Sequence, residues 1–346
     1  MKKFLCALLA CLLVVSFAGL ACAKKLNIAF VTFGDVESDP FYRENYSGIQ
    51  AFINTHPGAR VKVFKGAKLN APNVKRVFAK AVKASDVVIY SDGILPEVAE
   101  IVKANPRVKF ILTQEWLTDK NGKNFELPNV KALCFREDES GFLAGLAAAL
   151  TSKTKKVASV HGVAIPSNIR FKNGFIAGVH YANEKYNTNV NIVELPEYGA
   201  IDTTGNFVGS FKNAAKGRII GKALIDSGCD VIFASAGESG NGVIDSAKDS
   251  GNVKIIGCDT DQFDLGFDGD KNIILTSVIK LIAPQILGAL NDIDSNYFRS
   301  GNYLLGASSH AIGYVKGEHC LLDSDVREKL DSALDMMKSG ELIPLK

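Results

Sequence analysis

From Lys25 onward, short runs of apolar, largely β-branched residues alternate with longer stretches in which apolar positions recur every three or four residues. The short runs at Leu26 to Thr32, Arg60 to Phe64, Asp86 to Tyr90, Val108 to Leu112 and Val130 to Phe135 read as a first series of strands. A second series follows at Val157 to Val160, Val190 to Glu194, Val231 to Ser235, Val253 to Gly257 and Ile273 to Val278. Nearly all are apolar on both faces, as strands are when helices cover both sides of a parallel sheet. The 3.6-residue period predicts helices near 41–54, 72–83, 96–103, 140–150, 168–186, 213–226, 242–248, 282–293 and 323–338, the last ending at Gly340 with Lys338 in its final turn. Two successive β-α series predict an α/β chain of two doubly wound parallel-sheet lobes. The join is expected near Arg136 to Glu139, where a strand gives way to a charged run of the kind that is usually a solvated face.

Residues 1–23 stand apart from this pattern. Lys2-Lys3, an almost wholly apolar Phe4 to Leu20 and the small-x-small Ala21-Cys22-Ala23 form a signal peptide in outline, so export is expected. Retention of the apolar stretch as an anchor is the minor alternative. Cys22 also leaves lipid anchoring open, although Gly19-Leu20-Ala21 places Leu one position too close for the usual lipobox. Soluble periplasmic and lipid-anchored forms both lie outside the cytoplasm. No later stretch reaches the ~18 uninterrupted apolar residues that a membrane span needs.

Cysteine use and charge exclude other classes. Cys6, Cys11 and Cys22 fall in the leader, while Cys134, Cys229 and Cys258 sit in or beside strand runs, where a free thiol behaves as a small buried hydrophobe. No CxxC or HxxxH spacing occurs, so neither a disulfide framework nor a zinc site is expected, and no metal or cofactor is assigned. Setting Lys2 and Lys3 aside, the net charge of +3 falls to about +1 with acids and bases interspersed, which argues against a nucleic-acid surface.

The glycine-rich stretch SAGESGNGVIDSA, Ser235 to Ala247, follows one strand run and raises the question of a phosphate cradle. It lacks the lysine of GxxxxGK[ST], and its spacing is GxxGxG rather than GxGxxG. Glu238 at the mouth of the loop would repel a phosphate but accept hydrogen bonds from a neutral ligand. A tight strand-to-helix turn with no ligand remains the alternative. Ligands of open parallel sheets lie beyond the carboxyl ends of the strands, where this chain places Asp35, Ser91-Asp92 and Asp259; singly, each is more often a cap or turn former.

Six segments in order carry a resemblance: GFLAGLAAALTSKTKKVASVHG (141–162), RFKNGFIAG (170–178), FVGSFKNAAKGR (207–218), SAGESGNGV (235–243), GCDTDQ (257–262) and TSVIK (276–280). Together they resemble the basic membrane protein family of transporter substrate-binding proteins, of the purine nucleoside receptor type. The resemblance implies a type I periplasmic binding protein whose two lobes are joined by a three-strand hinge, with ligand held in the cleft and passed to an ABC permease. On that reading lobe 1 takes residues 24–137 plus about 279–297, lobe 2 takes 138–278 plus about 298–346, and the protein is a monomer. By the same resemblance Phe41 and Phe211 sandwich the base and Asp259 and Lys280 bind the ribose hydroxyls; Gly237 and Glu238 of the glycine-rich turn, and Asp35, Ser91 and Asp92 at the strand ends, are further candidate ligand contacts by their positions in the chain. The types suit the task, because flat rings stack on a flat base and an acid with a cation divides acceptor and donor duties around a diol. Read without the family, the phenylalanines are equally well core residues and Lys280 an exposed residue at a helix start.

The first loop departs from the family, which carries Thr-Asp and later an Asp-Asp-Lys-Ser-Phe-Asn run. Here the loop is VTFGDVESDPFYREN, with Phe33 after Thr32 and Tyr42 after Phe41, and Asp35 as a candidate substitute after a small shift. Glu238 stands where the family has glycine, and would crowd the pocket toward a ligand with an extra donor. The resemblance thus implies a binding protein and no enzyme, for a purine nucleoside or similar heterocycle-polyol. Riboflavin binding and a sensory-receptor partner are alternatives on the same fold. A nucleoside hydrolase, built on Asp259, Asp261 and Glu238, is the alternative of another class.

Overall fold

The computed structural model describes residues 25–119 and 121–345; the leader and Cys22 lie outside the described residues. The first sheet runs in the order β14-β5-β4-β3-β1-β2 and is wholly parallel. Its strands are β1 (Asn27–Thr32), β2 (Arg60–Lys65), β3 (Val87–Tyr90), β4 (Lys109–Leu112), β5 (Val130–Phe135) and β14 (Gly301–Leu305). Helices α1 (Pro40–Thr55), α2 (Ala71–Ala84), α3 (Pro96–Ala104) and α8 (Ile282–Asp294) go with it. The second sheet runs β15-β13-β10-β9-β6-β7, with β8 also paired to β6. It comprises β6 (Lys156–His161), β7 (Asn191–Ile192), β8 (Asn206–Phe207), β9 (Val231–Ser235), β10 (Lys254–Asp259), β13 (Ile274–Lys280) and β15 (Ile312–Tyr314). Only β15 is antiparallel within it. Helices α4 (Glu137–Thr151), α5 (Pro166–Tyr186), α6 (Ala214–Asp226), α7 (Glu238–Ser250) and α9 (Ser324–Ser339) cover this sheet, and a small ladder of β11 (Phe267–Asp268) and β12 (Lys271–Asn272) stands apart.

This is the two-lobe α/β arrangement expected from the strand pattern, and the apolar runs are its buried strands: every residue of β3 and β9 is buried. Two expectations are corrected. Gly301–Leu305 pairs in register with β5 at the edge of the first sheet, so the stretch from about 298 to Leu305 does not belong with the second. The Arg136 to Glu139 run is no solvated face either: Glu137, Asp138 and Glu139 open α4 and are all buried. Their charges are compensated, since Arg136 donates to Asp138 at 2.8 Å and Arg170 to Glu137 at 2.7 Å. Among the described residues the chain passes between the sheets three times, after β5, between β13 and α8, and after β14.

Glycines hold α4 and α5 together near the junction. A Cβ on Gly141 would lie 2.2 Å from the Phe171 carbonyl oxygen, and one on Gly174 would lie 2.1 Å from that of Asp138. Only bare backbone permits such an approach, and it sets the start of α4, with Glu137, against the start of α5, with Arg170 and Phe171. Cys134, Cys229, Cys258 and Cys320 are free and buried.

Candidate functional site

The carboxyl ends of the two sets of strands face one another across a cavity of about 530 Å³, within the range of small-molecule sites. Of the residues singled out in the sequence, Phe41, Phe211, Asp259, Lys280, Gly237, Ser91 and Asp92 line it; Asp35 and Glu238 do not.

The first sheet supplies Phe41 from the first turn of α1. Asp39 caps that helix, accepting from the Phe41 N–H at 2.9 Å, and Pro40 suits its first position. The second sheet supplies Phe211 from the loop after β8. Its ring lies on Gly162, where a Cβ would meet it at 2.3 Å; the family-like His-Gly step after β6 is therefore what makes room for the ring. The rings thus enter one cavity from different lobes.

Lys280 ends β13, rather than starting a helix, and is only 3% exposed. Its Nζ stands 3.0 Å from Asp259 Oδ1 and 3.6 Å from Glu137 Oε1. It also lies 5.2 Å from the ring centres of both Phe41 and Phe171, close enough for cation–π attraction. Burial works against its charge, but Asp259 and Glu137 outweigh burial and hold its pKa above the usual lysine range. Asp259 itself sits at φ +69, a left-handed conformation that costs a non-glycine residue free energy. The chain thus accepts local strain where β10 delivers this carboxylate to the cavity.

Asp92 accepts from the Phe33 N–H at 3.1 Å and from the Tyr42 hydroxyl. Burial pushes its pKa up to about 6, with those two donors pulling the other way. Ser91 donates to Asn45 Oδ1 at 2.8 Å, inside a buried set that includes Thr113. Behind Ser235, which also lines the cavity, His161 is fully buried between the hydroxyls of Ser235 at 2.8 Å and Ser159 at 2.9 Å. Burial lowers its pKa to about 3, so the ring is neutral.

Two expected contacts are corrected. Asp35 pairs with Lys65 and accepts from the Glu37 N–H at 3.0 Å, which turns it away from the cavity; the acid the first loop presents is Asp39 instead. Glu238 does not crowd the pocket, because Ser38 donates to its Oε1 at 2.6 Å across the mouth of the cleft. Two further contacts cross there: Lys212 Nζ donates to the Phe33 carbonyl at 2.8 Å and Gln114 Nε2 to Ser167 Oγ at 3.0 Å. The lobes are therefore closed on one another. Asp261, expected beside Asp259 in a hydrolase reading, binds His319 at 2.6 Å and is absent from the cavity lining. The glycine-rich stretch is a tight turn, Gly237 at φ +56, that leads into α7 and brings backbone to the cavity. Asp39, Tyr42, Glu137 and Phe171 escaped the sequence reading; the Asp-Pro pair ahead of a helix was the one local signal, and it marks a cap rather than a ligand contact.

A family model described as "ABC transporter substrate-binding protein PnrA-like" matches residues 25–342. The chain belongs to this family, Bmp. It is an ABC transporter substrate-binding protein, of a family that binds substrates and is not one of enzymes. Among its Bmp relatives is the "CD4+ T-cell-stimulating antigen" of Listeria monocytogenes, 28% identical over 342 residues that cover 92% of this chain and 88% of that one. The "ABC transporter nucleoside-binding protein BmpA" of Lactococcus lactis is 30% identical over 211 residues, 58% of this chain and 54% of the other. Among solved structures, a solute-binding protein of an ABC transporter system from Aeropyrum pernix K1 aligns with a TM-score of 0.77 at 18% identity, covering 92% of both chains. One from Bacillus halodurans with bound myo-inositol aligns at 0.59 and 12% identity, covering 90% of this chain and 99% of its own. These likenesses bear out the type I fold.

Proposed function

We propose that this Bmp protein captures a purine nucleoside, or a similar flat heterocycle carrying a polyol, and presents it to an ABC permease. The observation that carries the reading is the lining of one cavity by Phe41 and Phe211 from separate lobes, with Asp259 and Lys280 at its floor. An aromatic face stacked on a base contributes ~1–3 kcal/mol, and the base then lies between two such faces. Asp259 accepts from sugar hydroxyls while Lys280 donates; the carboxylate of Glu137 behind Lys280 keeps that ammonium charged. The three passages of chain between the sheets act as the hinge, and ligand contacts with both lobes stabilise the closed form. The ~530 Å³ space suits a nucleoside, and the relative named as nucleoside-binding supports the same class. Calorimetric titration of the mature protein against nucleosides, free bases, riboflavin and sugars tests the reading. Micromolar binding of a nucleoside is expected. Sugar binding without any response to a heterocycle would refute the stacking role.

A further inference from the structure

We infer that Asp39 enters the closed cleft as the neutral acid and donates its Oδ2 hydrogen to an uncharged acceptor atom of the ligand, so that capture takes up one proton. The inference rests on the nucleoside reading and deepens it by naming a group on the ligand, a ring nitrogen or a carbonyl or hydroxyl oxygen, that the stacking and diol contacts do not use.

The geometry is that of a carboxyl closed in from both lobes. Asp39 lines the cavity and is 3% exposed. Its Oδ1 is engaged by the Phe41 N–H. Its Oδ2 reaches across to the second lobe, 3.4 Å from where a Cβ on Gly237 would stand and beside the base of Phe211. Among the described residues no side chain donates to Asp39 and no cation pairs with it; besides the Phe41 N–H, only the backbone N–H of Tyr42 favours its carboxylate. The charged groups that face it are themselves acids: Asp259 at the end of β10 and Glu238 at the start of α7, with the Tyr42 hydroxyl on its own helix. Of the cations that line the cavity, Lys280 is committed to Asp259 and Glu137 and Lys212 to the Phe33 carbonyl, while Lys68, exposed on the loop after β2, forms no ion pair with Asp39. A further anion buried here would lack compensation, whereas a carboxylic acid satisfies the site and offers a donor.

Closure is what creates this environment. With the lobes apart, Asp39 faces water and Asp259 and Glu238 move away with the second lobe, so its pKa returns to about 3.9. In the closed cleft burial, and then Asp259 and Glu238, push it up to about 7. A closed-state value above the open-state value means that closure binds a proton between the two. Affinity is therefore lowest and flat above pH ~7, rises up to tenfold per unit as pH falls toward ~4, and then levels. A ligand with an ammonium aimed at Asp39 would hold it ionised and abolish this dependence.

Titration calorimetry with inosine, adenosine and guanosine as probes, in two buffers of different ionisation enthalpy at pH ~5.5, reads the proton directly. Uptake approaching one proton is expected. Asp39→Asn keeps the helix cap and supplies an amide N–H where the acid had O–H, so it should show no uptake and bind at pH ~8 at least tenfold more tightly than the native protein. Nucleoside binding with no uptake or with proton release, or an Asn variant weaker than native at alkaline pH, would overturn the assignment while leaving the stacking reading in place. If none of the three nucleosides binds, the stacking reading falls and this assignment with it.

Discussion

Replacing Lys280 by Met should destabilise the protein more than any ligand-contact substitution, and should do so through the carboxylate left behind. The methionine keeps most of the side-chain volume and the contacts with Phe41 and Phe171, so the transfer cost is small. What is lost is the cation 3.0 Å from Asp259 and 3.6 Å from Glu137. Removing one partner of a buried ion pair costs ~3–5 kcal/mol. Glu137 keeps Arg170 at 2.7 Å, and the Asp259 side chain retains 18% exposure toward the cavity, which places the loss near the lower end, ~3 kcal/mol. In a lobe of this size that is a fall of about 6–12 °C in thermal midpoint at neutral pH. Adding Asp259→Asn to Lys280→Met should recover most of it, because no unpaired charge then remains. Calorimetric melting of the native, single and double variants at neutral pH decides the matter. A single variant within ~1 kcal/mol of native, or a double variant no more stable than the single, would refute the claim that a buried charge is being compensated.

Three other outcomes follow from the same geometry. Phe211→Ala should weaken nucleoside binding by ~1–3 kcal/mol, and Gly162→Ala should weaken it comparably by pushing the Phe211 ring off its seat, where a Cβ would stand 2.3 Å away; unchanged affinity in both would remove that ring from the site. Ser38→Ala breaks the 2.6 Å bond to Glu238 Oε1 while leaving that carboxylate in place, and should cost ~0.5–1.5 kcal/mol of ligand affinity, seen as faster release in stopped-flow displacement, with an unchanged release rate counting against a latch. His161 has a pKa lowered to about 3 by burial against ~6.5 in the unfolded chain, so its contribution is complete above ~6.5 and is lost as pH falls toward 3, at up to ~1.4 kcal/mol per pH unit. His161→Gln should flatten that acid limb in urea titrations, and parallel limbs for the two proteins would show that His161 is not its source.

How much of this was legible depends on the range of the interaction. Strands such as Val87–Tyr90 and Val231–Ser235 announce themselves because burial on both faces demands an unbroken apolar run. The glycines of GFLAG and RFKNGFIAG were visible as a resemblance, and the structure supplies their reason, the contact of α4 with α5 at Gly141 and Gly174. The charged run Arg136 to Glu139 misled because local composition reads as solvated, while the compensation of Glu137 comes from Arg170 and Lys280, distant in sequence. Asp35 and Asp39 are both loop acids ahead of the same helix. Only the lysine on β2 that captures Asp35, and the second lobe that closes over Asp39, separate their roles. Edge strand β14 escaped because Gly301–Leu305 is only partly buried and so carries no unbroken apolar signature.

The balance between open and closed forms can be worked from these parts. Among the described residues three hydrogen bonds cross the cleft, from Lys212, Ser38 and Gln114, and each replaces bonds to water, for a net ~0.5–1.5 kcal/mol. Against them, closure buries Asp39 opposite Asp259 and Glu238, a cost of the same order at neutral pH. Without ligand the two nearly cancel. Taking such a balanced equilibrium to 99:1 closed needs about half of the ~5.5 kcal/mol of differential binding that a full swing from 1:99 would take. The second stacked face, gained only on closure at ~1–3 kcal/mol, comes close, and the polar contacts that the second lobe adds supply the remainder. Because Phe41 and Phe211 belong to different lobes, only the closed form offers both faces at once; a ligand with a single stacking face, or none, would bind one lobe without closing the other over it.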